Sequence, residues 1–300
     1  MRSVEASNHR VFVFGDLNID HIVTNIELGK ICAVDSISER PGGSAVNAAK
    51  AFRDCGFSVE LVGGIGRDSN GRKLRQFIEA QKIIANLDEH DKLPTGQCNI
   101  LYINARDDQR IIYYSRENAN NYCLNHLRSV LSRSEICSDD YAYVSLHMLD
   151  QTNYDIAHCR NYIEIIRSFG LQIIFDIVPH TIYDKISFET LNKIIGGDIY
   201  LLISEIRTLS QFLKLPASDV VAPCEKFLRL AESHIDSIWY DFRYGEGFID
   251  KQWLNKTKDF DDRSIGVINS TGFSKLDDGQ KVGFGDILTA STLKYILKIE

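Results

Sequence analysis

The feature that most constrains this fold is the alternation of short apolar runs with helix-like segments along the whole chain. The runs are rich in β-branched and aromatic side chains, which is typical of strands buried on both faces. They cover residues 11–14, 59–62, 141–146, 171–176, 198–204 and 235–241. Helical segments such as 154–169 and 218–233 lie between them. This alternation predicts an α/β fold, a doubly wound and mostly parallel sheet with helices on both faces.

The chain shows no sign of a division into separate domains. No segment rich in Pro, Gly or Ser interrupts the 300 residues, and no internal repeat or low-complexity tract is found. We therefore expect a single domain over residues 1–300. Residues 22–40 alternate loosely without a helical period, and 96–116 form a hairpin candidate around a charged turn.

Charge and cysteine usage restrict the partners of the protein. The net charge of −7 argues against nucleic acid or an anionic membrane as the main partner, because both require a basic protein face. The seven cysteines are scattered without the spacing of a zinc site, which indicates reduced thiols. The polar N-terminus lacks an apolar signal core, and no apolar run approaches the roughly 18 residues of a membrane span. We expect a cytoplasmic protein that binds neither nucleic acid nor membrane.

A glycine loop followed by an acid opens the last predicted helix. Gly283, Phe284 and Gly285 precede Asp286, and the helix-like run 287–298 follows. The backbone N–H groups of such a loop, together with a helix N-terminus, can hold a phosphate. A carboxylate at this position can accept the proton of an attacking hydroxyl. The same pattern also occurs in ordinary turns and helix ends, so a structural role is the alternative.

Polar and glycine residues follow the first apolar run and open the next helix. Asn18 and Asp20 come at the carboxyl end of the predicted strand, where α/β sheets bind ligands, although an Asx turn is the alternative. Gly42 and Gly43 allow a ligand to approach the backbone. Asn47 lies one turn inside a helix of small residues, for which tight helix packing is the alternative role.

Glycines also follow the second apolar run, at Gly63, Gly64 and Gly66. A G-x-x-G sequence after a strand forms part of the dinucleotide-binding fingerprint. Here the full G-x-G-x-x-G pattern is not met, and no acid follows at the required distance. An NAD-binding oxidoreductase is therefore disfavoured.

Taken together, the motifs form an ordered set. They are Gly15-x-x-Asn18-x-Asp20, Gly42-Gly43-x-x-x-Asn47, Gly63-x-x-Gly66-x-Asp68-x-x-Gly71 and Gly283-x-Gly285-Asp286. The set and its order resemble the ribokinase-like (PfkB) family of sugar and nucleoside kinases over nearly the whole chain. The resemblance implies ATP-dependent phosphorylation of a hydroxyl on a sugar, sugar acid or nucleoside, with Mg²⁺ bridging the nucleotide phosphates. It also implies a small β-sheet lid from residues 22–40 and 96–116, whose exposed edges would suit a homodimer.

The resemblance also implies roles for the matching residues. The general base and the anion hole correspond to Asp286, Gly283, Phe284 and Gly285. The substrate contacts correspond to Asn18, Asp20, Gly42, Gly43 and Asn47. His147 falls near a position where relatives place another polar substrate contact, and a structural role at the surface or in the core is the alternative.

The nucleotide side departs from the family pattern. Relatives use N-x-x-E to organise Mg²⁺ and phosphates, whereas this chain has Ser-Glu-Ile-Arg at 204–207. The candidates for the nucleotide side are Ser204, Arg207, Arg243 and Gly245, and Glu205 is the candidate metal ligand. Because this pattern is altered, a sugar- or nucleoside-binding protein with weak or no catalysis is the second interpretation.

Overall fold

Strands and helices alternate along the chain, as the sequence predicts. The structure, a computed structural model, describes residues 9–24, 26, 34, 37–104, 109–120, 123–177, 184–216, 221–232, 234–242, 256–269 and 283–299. The strands are β1 Arg10–Phe14, β2 Asn18–Val23, β3 Ile37–Gly42, β4 Ser58–Gly66, β5 Ile84–His90, β6 Gly96–Asn104, β7 Gln109–Tyr114, β8 Tyr141–Ser145, β9 Gln172–Ile177, β10 Ile199–Glu205, β11 Ile235–Phe242, β12 Lys256–Phe260 and β13 Arg263–Asn269. The helices are α1 Ser44–Asp54, α2 Ser69–Ala80, α3 Leu124–Arg133, α4 Met148–Gln151, α5 Ile156–Ser168, α6 Phe188–Ile195, α7 Ile206–Leu213, α8 Ala222–Leu230 and α9 Phe284–Ile296. Across these described ranges, no helix combines the length and the apolar character needed to cross a membrane.

The larger sheet has the strand order β12-β13-β11-β10-β9-β8-β1-β4-β5. Neighbouring strands run parallel, except that β12 is antiparallel to β13. The chain builds outward from β1 to β4 and β5, and then returns to the other side of β1 with β8. This order confirms the doubly wound, mostly parallel sheet.

Helices cover both faces of the larger sheet. Successive strand residues point to opposite faces, so neighbours in sequence pack against different sets of helices. Val13 of β1 and Tyr143 of β8 belong to the apolar cluster that α1, α2 and α9 cover. Phe14 and Val144, their neighbours in sequence, belong to the cluster that α3 to α8 cover. The two-sided burial explains why the central strands have continuous apolar runs.

A second sheet of four strands has the order β3-β2-β6-β7. Strand β2 is antiparallel to β3 and parallel to β6, and β6 pairs with β7 as the hairpin predicted at 96–116. Strand β2 begins at Asn18, earlier than the predicted segment 22–40. Asn18 and Asp20 are therefore strand residues of this small sheet.

Asp68 of the third glycine motif has a structural role. Its carboxylate accepts hydrogen bonds from the N–H of Gly71 at 2.8 Å, the N–H of Thr95 at 2.9 Å and the hydroxyl of Thr95 at 2.7 Å. Partial burial opposes ionisation, but these hydrogen bonds outweigh it and lower the pKa of Asp68. The motif caps α2 and ties it to the start of β6.

Candidate active site

The strand order of the larger sheet reverses between β1 and β8. Strand β1 pairs with β4 on one side and with β8 on the other, so the connections leave it in opposite directions. Ligands of α/β proteins bind in the crevice outside the carboxyl ends of strands at such a point. Helices α1 and α9 both begin at this crevice.

Helix α1 is preceded by a position that only glycine can occupy without strain. Gly43 precedes the helix with φ of 88°, and a Cβ at this position would lie 2.4 Å from the backbone O of Asp16. Gly43 has no side chain to cap the helix, and Asp16 supplies that function. Its Oδ1 accepts hydrogen bonds from the hydroxyl of Ser44 at 2.6 Å and from the N–H of Ser44 at 3.3 Å. This links the end of β1 to the start of α1.

Asn18 belongs to a buried amide network behind the crevice. Its Nδ2 donates to Oδ2 of Asp16 at 2.7 Å, and its Oδ1 accepts from Nδ2 of Asn120 at 2.8 Å. Asn120 accepts at Oδ1 from the N–H of Leu17 at 2.9 Å, and its own N–H donates to Oδ1 of Asn118 at 2.7 Å. The network fixes the connection between β1 and β2, and a contact between Asn18 and substrate stays a prediction.

Asp20 is a buried carboxyl group on the small sheet, directly against the glycine pair. It is 2% exposed, and a Cβ on Gly42 would lie 2.0 Å from its Oδ2. Burial raises the pKa of Asp20 to about 7, and the positive charge of Arg40 opposes the rise. The charge of Asp16 raises this pKa further, whereas the hydrogen bond from the N–H of Gly43 lowers it. A carboxyl group that titrates near neutral pH beside a crevice is typical of a functional site.

Helix α9 brings Asp286 to the same crevice. Gly283 precedes the helix with φ of 83°, and a Cβ there would lie 3.1 Å from Cγ of Asn47, so α9 begins against α1. The N–H of Ile287 donates to the carbonyl O of Gly283 at 3.3 Å, and the N–H groups of residues 284–286 precede this first helical bond. Asp286 lies in the first turn, where the helix dipole favours a negative charge.

A buried tyrosine hydroxyl joins Asp286 to a second carboxylate. The hydroxyl O of Tyr143 lies 3.0 Å from Oδ1 of Asp286 and 3.0 Å from Oδ2 of Asp176. Burial raises the pKa of Tyr143 well above its ordinary value, and the two carboxylates add to the rise, so the hydroxyl keeps its proton and donates. Tyr143 and Asp176 carry no motif that identifies them from sequence. The only signal is an acid at the end of an otherwise apolar strand.

His147 lies at the start of α4, close to the beginning of α1. Its N–H donates to Oγ of Ser145 at 3.2 Å, and the hydroxyl of Ser44 lies 3.4 Å from the same Oγ. The structure therefore brings the backbone at 147 to the crevice. A substrate contact by the His147 side chain stays a prediction.

The nucleotide-side candidates differ in their burial. Ser204 is 1% exposed, and its hydroxyl donates to the backbone O of Glu205 at 3.2 Å. Glu205 is buried at the start of α7, and Arg207 is exposed. Arg243 and Gly245 lie outside the described residues. No group of three or more His, Cys, Asp or Glu side chains in the described ranges could hold a metal ion, so a metal site built from protein ligands alone does not fit them.

Comparison with known proteins identifies the family. The family described as pfkB family carbohydrate kinase matches residues 8–218. The chain is also similar to the bifunctional protein HldE of Marinomonas sp., with 38% identity over 66 residues, which are 22% of this chain and 14% of that protein. HldE of Hahella chejuensis is 30% identical over 95 residues, which are 29% of this chain and 20% of that protein. The matches thus cover a small part of these curated relatives.

Solved structures share the fold at low sequence identity. Ribokinase from Giardia lamblia has a TM-score of 0.59 and 17% identity, over 77% of this chain and 68% of that chain. Arabidopsis thaliana ribokinase, in a structure complexed with ribose and ATP, has a TM-score of 0.55 and 15% identity, over 77% and 70% of the two chains. These likenesses show a ribokinase-like fold. Because the family match spans most of the sequence, the chain belongs to the pfkB family of carbohydrate kinases.

Proposed function

We propose that this protein uses ATP to phosphorylate a hydroxyl group of a sugar, sugar acid or nucleoside, with Asp286 as the general base. The position of Asp286 carries the proposal. This carboxylate lies in the first turn of α9, beside glycine backbone N–H groups, and accepts a hydrogen bond from Tyr143. A proton acceptor and backbone N–H groups that can hydrogen-bond a phosphate therefore lie within one helical turn, as phosphoryl transfer requires.

The acceptor substrate would bind between the small sheet and α1. Asp20 and Asn47 have side chains that can hydrogen-bond sugar hydroxyls, and Asn18 and His147 are further candidates. The side-chain space at Gly42 is taken by the carboxyl group of Asp20 and that at Gly43 by the backbone of Asp16, so contact of these two glycines with substrate stays a prediction. Binding there places the acceptor close to Asp286, because Asn47 packs against the start of α9.

Asp286 would take the proton of the acceptor hydroxyl while the oxygen of that hydroxyl forms its bond to the γ-phosphorus of ATP. ATP supplies the phosphoryl group, and the bond from the γ-phosphorus to the bridging oxygen breaks to release ADP. The N–H groups of Gly283, Phe284 and Gly285 would hydrogen-bond the oxygens of the transferred group. These dipoles are fixed before the reaction, so they stabilise the developing charge without reorganising.

Mg²⁺ would enter with the nucleotide, held mainly by phosphate oxygens and water. Mg²⁺ often keeps several waters and needs few protein ligands when phosphates are present. The described residues fit this arrangement better than a protein cage, since the Ser204 hydroxyl is bonded to backbone and Glu205 is one buried carboxylate. Ser204, Arg207, Arg243 and Gly245 remain the proposed residues of the nucleotide side.

A second candidate function is binding of a sugar or nucleoside with weak or no catalysis. The altered sequence at 204–207 favours it, because Ser204 is buried and Arg207 replaces the acid of the family pattern. The geometry of Asp286 favours the kinase, since a protein that only binds ligand gains nothing from a carboxylate fixed beside an anion hole.

The small sheet supports a proposed homodimer and a proposed role as a lid over the substrate. Its outer strands β3 and β7 expose apolar side chains: Ile37 is 64% exposed, Ile111 39%, Ile112 45% and Tyr113 51%. Open sheet edges with exposed apolar residues favour pairing with another copy.

The proposed function is tested by an acceptor panel. Purified protein is incubated with ATP, Mg²⁺ and one of D-ribose, D-fructose, fructose 6-phosphate, D-gluconate or adenosine, and ADP release is measured. Reactions without acceptor give the background hydrolysis. We expect one acceptor to raise ADP release well above this background. Calorimetric binding of an acceptor without ADP release from any panel member would favour the binding protein instead.

A further inference from the structure

We propose that Tyr143 and Asp176 are positioning residues for the general base. The hydroxyl of Tyr143, steadied by Asp176, holds Oδ1 of Asp286, so that Oδ2 receives the proton of the acceptor. This inference rests on the proposed function, because it requires Asp286 to act as the base.

The pairing of β8 with β9 brings the three groups together. Tyr143 is opposite Ile174 in the parallel register, and Asp176 lies two residues further along β9. Since side chains alternate along a strand, Tyr143, Ile174 and Asp176 point to the same face of the sheet. Leu293 of α9 packs in the apolar cluster on this face. The hydroxyl of Tyr143 therefore lies between the carboxylate of β9 and the carboxylate at the start of α9.

The number of protons limits which hydrogen bonds among Tyr143, Asp176 and Asp286 can form at the same time. A tyrosine hydroxyl donates one proton, and its oxygen can also accept. Two ionised carboxylates, each with an oxygen 3.0 Å from the hydroxyl oxygen, would compete for that proton. The three side chains therefore either share one proton or carry a second proton on one of the carboxyl groups. One shared proton bonds the hydroxyl to only one of the two carboxylates at a time, whereas a second proton on Asp176 lets Asp176 donate to the hydroxyl oxygen while the hydroxyl donates to Oδ1 of Asp286.

The tyrosine ring is fixed by packing. Tyr143 is fully buried, and its ring packs edge-on against Phe52 of α1 with the ring centroids 5.7 Å apart. Asp286 is only partly buried, so hydrogen bonds, the one from Tyr143 among them, contribute to the orientation of its carboxylate. Hydrogen bonds to an ionised acceptor are stronger than those between neutral groups. A base that is already held in its reactive orientation lowers the entropic cost of reaching the transition state.

The direct test compares two matched variants. Tyr143→Phe removes the hydroxyl and keeps the ring, whereas Tyr141→Phe makes the same change two residues earlier, where the hydroxyl bonds to Tyr200. The assay uses ATP with the panel acceptor that gives the fastest ADP release. We expect Tyr143→Phe to lower kcat by about tenfold or more, with KM for ATP and acceptor changed by less than about twofold. Equal kcat in the two variants would overturn the inference.

A double variant shows whether Tyr143 acts through Asp286. In the Asp286→Asn background, Tyr143→Phe should lower kcat by less than about twofold, because the group that it positions is gone. A further drop of about tenfold in that background would place the effect elsewhere and overturn the inference. Failure of the proposed function gives different results: Asp286→Asn retains full activity, or the unaltered protein releases no ADP with any acceptor.

A pair of variants at Asp176 provides a second test that does not depend on the folding of Tyr143→Phe. Asp176→Asn keeps a group of the same shape that can hydrogen-bond the hydroxyl, and Asp176→Leu does not. We expect the Asn variant to keep kcat within about threefold of the unaltered protein, and the Leu variant to lose about tenfold with KM unchanged. Thermal unfolding checks that each variant is folded. Equal kcat in the two Asp176 variants would remove Asp176 from the chain of contacts.

Discussion

Replacing Asp20 by Asn should change how the stability of the protein depends on pH. Burial raises the pKa of Asp20 from 3.8 to about 7 in the folded protein. Between these two values the folded state binds more protons at this site than the unfolded state, so the free energy of unfolding falls as pH rises through this window. At about 1.4 kcal/mol for each pKa unit, the loss due to Asp20 between about pH 5 and about pH 8 is roughly 2 to 3 kcal/mol. Little further loss occurs above the folded pKa.

Urea unfolding at several pH values tests this prediction. The measured quantity is the free energy of unfolding of Asp20→Asn minus that of the unaltered protein, because this difference cancels the titration of other groups. It should increase by roughly 2 to 3 kcal/mol from about pH 5 to about pH 8. Asp54→Asn is the matched control on the exposed side of α1, where the Asp54 side chain is 45% exposed, and the change for Asp20→Asn should exceed the change for this variant. A flat difference for Asp20→Asn would refute the effect of burial on this carboxyl group.

Three further predictions concern the backbone, the metal and the dimer. Gly43→Ala should lower the free energy of unfolding by about 2 kcal/mol or more. The loss should exceed that of Gly56→Ala, because Gly56 has a similar positive φ of 96° but open space where a Cβ would lie. Equal losses in urea unfolding would contradict the close approach of Gly43 to the backbone. Ser204→Asn combined with Arg207→Glu should lower the Mg²⁺ concentration for half-maximal ADP release, and an unchanged value would separate residues 204–207 from the metal. Ile112→Asp should shift the sedimentation of a dimer to that of a monomer, and an unaffected dimer would exclude the small sheet as the interface.

The sequence predicts those strands of the larger sheet that are buried on both faces, because such strands have continuous apolar runs. Strands β1, β8 and β10 are covered by helices on both faces and read as continuous apolar runs. Strand β5 lies at one edge, and its sequence from Ile84 to His90 mixes apolar with charged residues, so no apolar run identifies it. Strand β12 forms the opposite edge with the sequence Lys-Thr-Lys-Asp-Phe. Both edge strands therefore lack a clear local signal, and β13, which lies between β12 and β11, is also absent from the predicted apolar runs.

The candidate site shows the same division between local and distant signals. The glycines at 42, 43 and 283 and the acid Asp286 form compact motifs, because the turns and helix starts that they make are local. Tyr143 is 143 residues from Asp286, and Asn120 is 102 residues from Asn18. Only the register of the strands brings these pairs within hydrogen-bonding distance. A single sequence contains no comparable signal for such contacts.

The most direct test of the account is Asp286→Asn, measured for turnover and for binding on the same preparation. Asn preserves the shape of the side chain but cannot accept the acceptor proton as a base, so ADP release should fall by roughly 100-fold or more. Titration calorimetry should give Kd values for ATP and for the acceptor within about threefold of the unaltered protein, because the residues proposed to bind them are unchanged. An Asn variant with full turnover would contradict the assignment of Asp286 as the general base.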